Sequence, residues 1–150
     1  MYRTIFCLFL FFTLSCTKIT ESDIPYAKVR IKLDLHYRDK ELVGLLHHKE
    51  FQSARYSGEY TGFAGILVIC GYNNRYYAYD RCCPVESSKN ITIIPDDTGQ
   101  ATCPVCNTIY EIGNGSGIPI KGPSVYALRK YRIMENGHKL TVIKDRKSVV

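Results

Sequence analysis

The 150-residue chain has no run of basic residues dense enough to follow a phosphate backbone, although its formal net charge is +6. Lys28, Arg30 and Lys32, and later Arg129, Lys130 and Arg132, are spread as solvent-facing strand positions are, which argues against nucleic acid as a partner. No nucleophile elbow, phosphate loop or H-E-x-x-H helix is present. Without such a catalytic constellation, any part in a reaction is at most that of an electron-transfer component. No helical pattern longer than about three turns can be traced, and we find no internal repeat or low-complexity tract. The apolar run from Ile5 to Leu14 is too short for a permanent membrane helix, which needs roughly 20 residues.

That run does have a use. Arg3 precedes it and Ser15-Cys16 closes it, giving the charged and apolar regions of a secretory signal. Ser15-Cys16 resembles a bacterial lipobox, in which the cysteine is acylated and becomes the new N-terminus; Thr13 stands where that motif usually has leucine. The resemblance implies a signal peptide over residues 1–15, a lipid anchor at Cys16 with a polar tether over 16–27, and a folded domain over 28–145. It places the protein in the cell envelope as a membrane-anchored lipoprotein facing the periplasm or the exterior. Removing the first 15 of 150 residues leaves 135, enough for one domain with a real core. The folded part then holds Cys70, Cys82, Cys83, Cys103 and Cys106. In an oxidising compartment spare thiols pair, so an odd number leaves at least one free, buried or bound.

The pattern of that domain is β throughout. Val29, Ile31, Leu33 and Leu35 alternate with charged or polar residues as in a half-buried strand. Residues 62–70, GFAGILVIC, are continuously apolar and bounded by glycine, as in a strand covered on both faces. The turn 71–74 leads to its hairpin partner, RYYAYD at 75–80. Short strands follow at 91–94, 101–103, 108–112, 125–133 and 139–143, and Asn136-Gly137 is a strong hairpin signal. Residues 38–55 read equally as a short helix or an irregular connection. The fold class is all-β: small antiparallel sheets in a sandwich or barrel. Tyr72, Tyr76, Tyr77 and Tyr79 read as cross-strand packing.

Two cysteine boxes stand out, CCPV at 82–85 and CPVCNTIYE at 103–111, with Gly122-Pro123 following. Their order and spacing resemble the two-box signature of Rieske [2Fe-2S] domains, over roughly residues 60–143. In that family each loop offers one cysteine and one histidine, two cysteines holding one iron and two histidines the other. The resemblance implies Cys83 and Cys103 on the inner iron, Cys106 in place of one histidine on the outer iron, and Gly122-Pro123 as the turn covering the cluster. Val85 occupies the other histidine position and cannot ligate, so a fourth ligand would come from Cys82, Glu86 or solvent.

The implied function is that of an exported single-electron carrier serving a redox or surface protein partner. The residues leave two alternatives open: a module without metal, clasped by a disulfide, and one stapled by zinc through its cysteines. Successive residues of an extended chain point to opposite sides, so Cys82 joins Cys83 at one centre only if the loop bends; otherwise it is a buried small residue. His36, His47, His48 and His138 read as surface residues.

Overall fold

The computed structural model describes Thr20 and residues 22–144. The signal peptide and Cys16 lie outside the described residues. Strand β1 (Val29–Asp34) turns Val29, Ile31 and Leu33 inward and its charged residues outward. Its neighbours are β11 (Lys139–Ile143) on one side and β3 (Tyr60–Thr61) on the other. β10 (Lys130–Asn136) forms the hairpin with β11, Asn136 facing Lys139. The connecting residues are therefore Gly137 and His138, and Gly137 has a φ of +57°, which a residue with a side chain adopts at a cost.

β10 continues the sheet to β5 (Tyr76–Asp80), β5 pairs with β4 (Ile66–Cys70), and β4 pairs with the edge strand β2 (His48–Phe51). The order is thus β2-β4-β5-β10-β11-β1-β3, antiparallel throughout. The edges approach each other, the Thr61 hydroxyl donating to the Gln52 carbonyl at 3.5 Å, so the sheet is nearly closed. Inside it lie Ile31, Leu33, Leu42, Ile66, Val68, Ala78, Leu140 and Val142.

The other face of β4 and β5 explains why residues 66–70 are all buried. Leu67, Ile69 and Tyr79 point away from the first core and meet Ile93, Ala101, Tyr110, Ile112 and Leu128. Part of this second core comes from a smaller sheet, β6 (Ile94–Pro95), β7 (Gln100–Thr102), β8 (Ile109–Glu111) and β9 (Pro119–Lys121), in that order. The chain is all-β, with two sheets and two cores that share the wall β4–β5.

Three local expectations are adjusted. Residues 38–55 contain a single 3-10 turn, Lys40–Leu42, and then β2. The turn is fixed by buried Asp39, whose carboxylate accepts from Lys49 Nζ at 3.0 Å, Arg55 Nη1 at 2.7 Å and the Asp34 amide at 2.9 Å. The segment expected as tether is packed in its described part: Ile24 is buried, and Thr20 bridges to Tyr126 in parallel register. Arg129 donates to the carbonyls of Ser22 and Ile24 and lies 4.3 Å from the Tyr26 ring. Strand 125–133 begins only at Lys130, because residues 125–127 pair with Thr20 instead.

Candidate metal centre

The first box leaves β5 through Asp80, a fully buried carboxylate. It accepts from Tyr131 Oη at 2.6 Å, from the amides of Phe63 and Ala64 at 2.8 and 3.2 Å, and from the Cys82 amide at 2.9 Å. A buried carboxylate with four donors is well compensated, and it fixes where the chain enters the loop. The loop turns back on itself through the Ser87 amide, which donates to the Cys83 carbonyl at 2.9 Å. The second box joins β7 to β8 and turns in the same way, the Asn107 amide donating to the Cys103 carbonyl at 3.0 Å.

These loops bring three sulfurs together. The Sγ atoms of Cys83, Cys103 and Cys106 all lie within 4.8 Å of one another, and Cys83 and Cys106 are 3.6 Å apart. Cys83 and Cys103 are buried and Cys106 is half-buried. Tyr110 Oη stands 3.6 Å from Cys83 Sγ, and Thr108 Oγ1 is 3.1 Å from Cys106 Sγ. Burial pushes the Cys103 thiol up to about 12. Burial also raises Cys106, but the Thr108 hydroxyl and amide and the neighbouring thiols outweigh it and bring its net value below the ordinary thiol range. Three thiols this close cannot all ionise unless a cation enters with them.

The structure brings together Cys83, Cys103 and Cys106 and leaves Cys82 out. The Cys82 thiol contacts the carbonyls of Cys83 and Ser88 at 3.5 and 3.4 Å, and burial pushes it up to about 12. It is a buried partner of the loop backbone, as alternation along the chain requires. Gly122, at φ +103°, lies against the second loop: a Cβ there would come 2.6 Å from Thr108 Cα. The Gly122-Pro123 turn therefore rests on the backbone beside Cys106. Val85 projects outward, 41% exposed. None of the four histidines belongs to the three-sulfur group. Thr108 was not singled out from the sequence, and no motif marks it.

The spacing tests the two kinds of metal group. A tetrahedral ion with sulfur ligands at about 2.3 Å sets them about 3.8 Å apart, close to the 3.6 Å between Cys83 and Cys106. Ligands on different irons of a [2Fe-2S] cluster are held roughly 5 Å apart or more. With Cys106 on the outer iron and Cys83 on the inner one, the two sulfurs, 3.6 Å apart here, would have to separate to that span, and Val85 supplies no second outer ligand. The boxes lack the second outer ligand of a Rieske cluster, and the spacing of the three sulfurs suits thiolates on one ion.

No protein-family model and no curated protein matches the chain. Among solved structures it is similar to the ferredoxin of carbazole 1,9a-dioxygenase from Nocardioides aromaticivorans IC177, at 16% identity and a TM-score of 0.49, over 79% of this chain and 99% of that one. It is also similar to a chain in the complex of reduced oxygenase and oxidized ferredoxin in carbazole 1,9a-dioxygenase, at 13% identity and 0.49, over 75% and 99%. The ferredoxin of Sphingomonas yanoikuyae B1 shows 12% identity and 0.44, over 78% and 99%. At such identities and scores the chemistry of this chain has to be read from its own residues.

Proposed function

We propose that this protein is a metal-binding module of the cell envelope, in which a Rieske-type pair of loops holds one metal ion through Cys83, Cys103 and Cys106. The observation that carries this reading is the sulfur triangle, all within 4.8 Å. The competing reading, a [2Fe-2S] single-electron carrier, is favoured by the order of the boxes and the Gly122-Pro123 turn. The sulfur spacing and the exposed Val85 weigh against it. A bound ion ties the loop after β5 to the loop between β7 and β8 and so fixes the surface around them. That surface presents Val85 and Val105, 41% and 53% exposed, which suits contact with a protein partner. Export and acylation at Cys16 belong to the same proposal and rest on the signal grammar alone.

The test uses the full-length protein, expressed with its signal and purified without oxygen from membranes. One ion per chain and no visible iron–sulfur bands is the expected result. Iron and sulfide at about two per chain with those bands would establish the electron carrier instead. A metal-free chain with a Cys83–Cys106 disulfide would overturn both metal readings. Mass spectrometry should find an acylated Cys16 at the N-terminus; any other N-terminus, or one without acyl mass, removes the anchor from the proposal.

A further inference from the structure

The two boxes are copies of one loop. Cys83-Pro84-Val85-Glu86-Ser87 and Cys103-Pro104-Val105-Cys106-Asn107 share their first three residues. The backbone repeats as well. In both loops the fifth residue donates its amide to the carbonyl of the first, at 2.9 Å for Ser87 and 3.0 Å for Asn107. That fifth residue takes a left-handed conformation in both, φ +48° at Ser87 and +57° at Asn107. Such a φ is uncommon for a residue with a side chain, so its occurrence at matching positions is a strong sign of the same turn. Exposure matches at four of the five positions, a buried first cysteine, an exposed valine, a half-buried fourth residue and an exposed fifth, and differs at the proline, buried at Pro84 and exposed at Pro104.

Cys83 therefore corresponds to Cys103, and Glu86 corresponds to Cys106. We infer that Glu86 is the fourth ligand of the ion held by Cys83, Cys103 and Cys106, which makes a tetrahedral three-sulfur, one-oxygen site for a zinc-class divalent cation. This deepens the single-ion reading and rests on it. The equivalence would direct the Glu86 side chain toward the space between the two loops. In the second loop that space holds the Cys106 sulfur, 3.6 Å from Cys83 Sγ. The Glu86 carboxylate stands outside the sulfur group in the structure, so the assignment requires it to turn toward the sulfurs about its own side-chain bonds. Among the described residues it makes no hydrogen bond or ion pair that such a turn would break. Carboxylate oxygen at about 2.0–2.2 Å is an ordinary zinc ligand. The rival candidate, Cys82, is engaged with the carbonyls of Cys83 and Ser88. Three thiolates and a carboxylate bring four negative charges to one dication, which favours a borderline ion that tolerates sulfur over a hard one such as Mg²⁺.

The experiment is a cobalt titration of the full-length protein in detergent, followed by displacement with zinc. Cobalt reports its ligands through sulfur-to-metal charge transfer in the near ultraviolet and tetrahedral ligand-field bands in the visible. The wild type should take one Co²⁺ with the intensity of three thiolates. Glu86→Gln should keep that intensity but lose roughly tenfold or more in metal affinity. Glu86→Cys should raise the intensity by about a third, the share of a fourth thiolate, and Cys82→Ala should change neither quantity. Unchanged affinity and ligand-field bands in Glu86→Gln, with one ion still bound, would overturn the assignment of Glu86 and leave the single-ion reading standing. Loss of about a quarter of the charge transfer in Cys82→Ala would give the fourth position to Cys82. A wild type that binds no cobalt, or only iron with sulfide, would bring down the single-ion reading itself.

Discussion

The large sheet and the small sheet fold on different terms. In the large one, strands of five to seven residues such as β1, β4 and β10 enclose a core of their own, with Ile31, Leu33, Ile66, Val68, Leu140 and Val142 as its main contributors. In the small one, no strand exceeds three residues. Its buried side chains, Ala101, Tyr110 and nearby Ile93 and Ile112, find their partners on β4 and β5. A metal ion of the kind proposed would add a constraint on the loops of this sheet, and the three thiols sit where such a cross-link would have most effect. The large sheet is thus a self-sufficient frame, whereas the small one depends on the frame and on whatever joins Cys83 to Cys103 and Cys106.

The largest effect expected from that asymmetry follows removal of the proposed metal. Chelation should raise amide exchange across β7 and β8 by about a thousandfold, near 4 kcal/mol of local stability, while β1 and β11 change by less than tenfold. Equal loosening of both sheets, measured by hydrogen exchange with mass spectrometry, would remove the asymmetry. The converse is Leu33→Ala in the frame. Truncating this fully buried side chain should cost about 3 kcal/mol and unfold both sheets in one transition, because the small one has nothing else to pack on. A denaturant curve in which the small sheet outlives the large one would contradict this.

A smaller effect is expected at Gly122. Alanine there must adopt φ +103° and displace Thr108 Cα from 2.6 Å, at a cost of about 2 kcal/mol. The loss should be local: faster exchange at Thr108 and Ile109 and weaker metal retention, with Leu140 and Val142 still protected.

The smallest effect concerns acid, and it belongs to the frame. Burial raises the Asp39 carboxyl, but the Asp34 amide, Lys49 and Arg55 outweigh it and hold the net value below the usual carboxylate range. A carboxylate depressed in the folded state stabilises the fold above its unfolded pKa of about 4. That contribution fades as pH falls through the folded value. Urea midpoints measured downward from pH 5 should therefore drop in the wild type, with a shallower fall in Asp39→Asn. Parallel curves would show that Asp39 is not the group responsible.

The same contrast governs what could be read from the sequence. Val29-Ile31-Leu33, the run at 66–70 and the hairpin after β10 declare themselves because alternation and full burial are written into the residue types. β2 does not: of His48, Lys49, Glu50 and Phe51 only Phe51 is buried, and the strand exists because β4 offers it an edge. β3, β6 and β9 are too short for a period to develop. At the site, the cysteines of the two boxes were legible as a group, and their meeting follows from two loops set side by side. The residue types leave the choice among Cys82, Glu86 and solvent open, and Cys82 turns away from the group because of how the backbone turns after Cys83. The repeated C-P-V was visible all along, but its weight comes from the matching turns at Ser87 and Asn107.

The docking of Thr20 on residues 125–127 has a consequence for where this protein can work. The Thr20 amide donates to the Val125 carbonyl and the Ala127 amide to the Thr20 carbonyl, each at 3.1 Å, a short distance along the chain from the Gly122-Pro123 turn. If Cys16 carries the lipid proposed above, three residues lie between it and Thr20, and the four residue steps span about 14 Å at full stretch. A domain moored on so short a leash would have little freedom to swing or to reach into the surrounding compartment. The proposed metal centre would then sweep a thin layer above the bilayer, and encounters with other residents of that membrane would become nearly two-dimensional, at high effective concentration. Partners diffusing freely in solution would gain no such advantage. Lengthening the leash with a flexible insert after Lys18 should widen the layer and weaken any membrane-confined association, while the folded domain stays as it is.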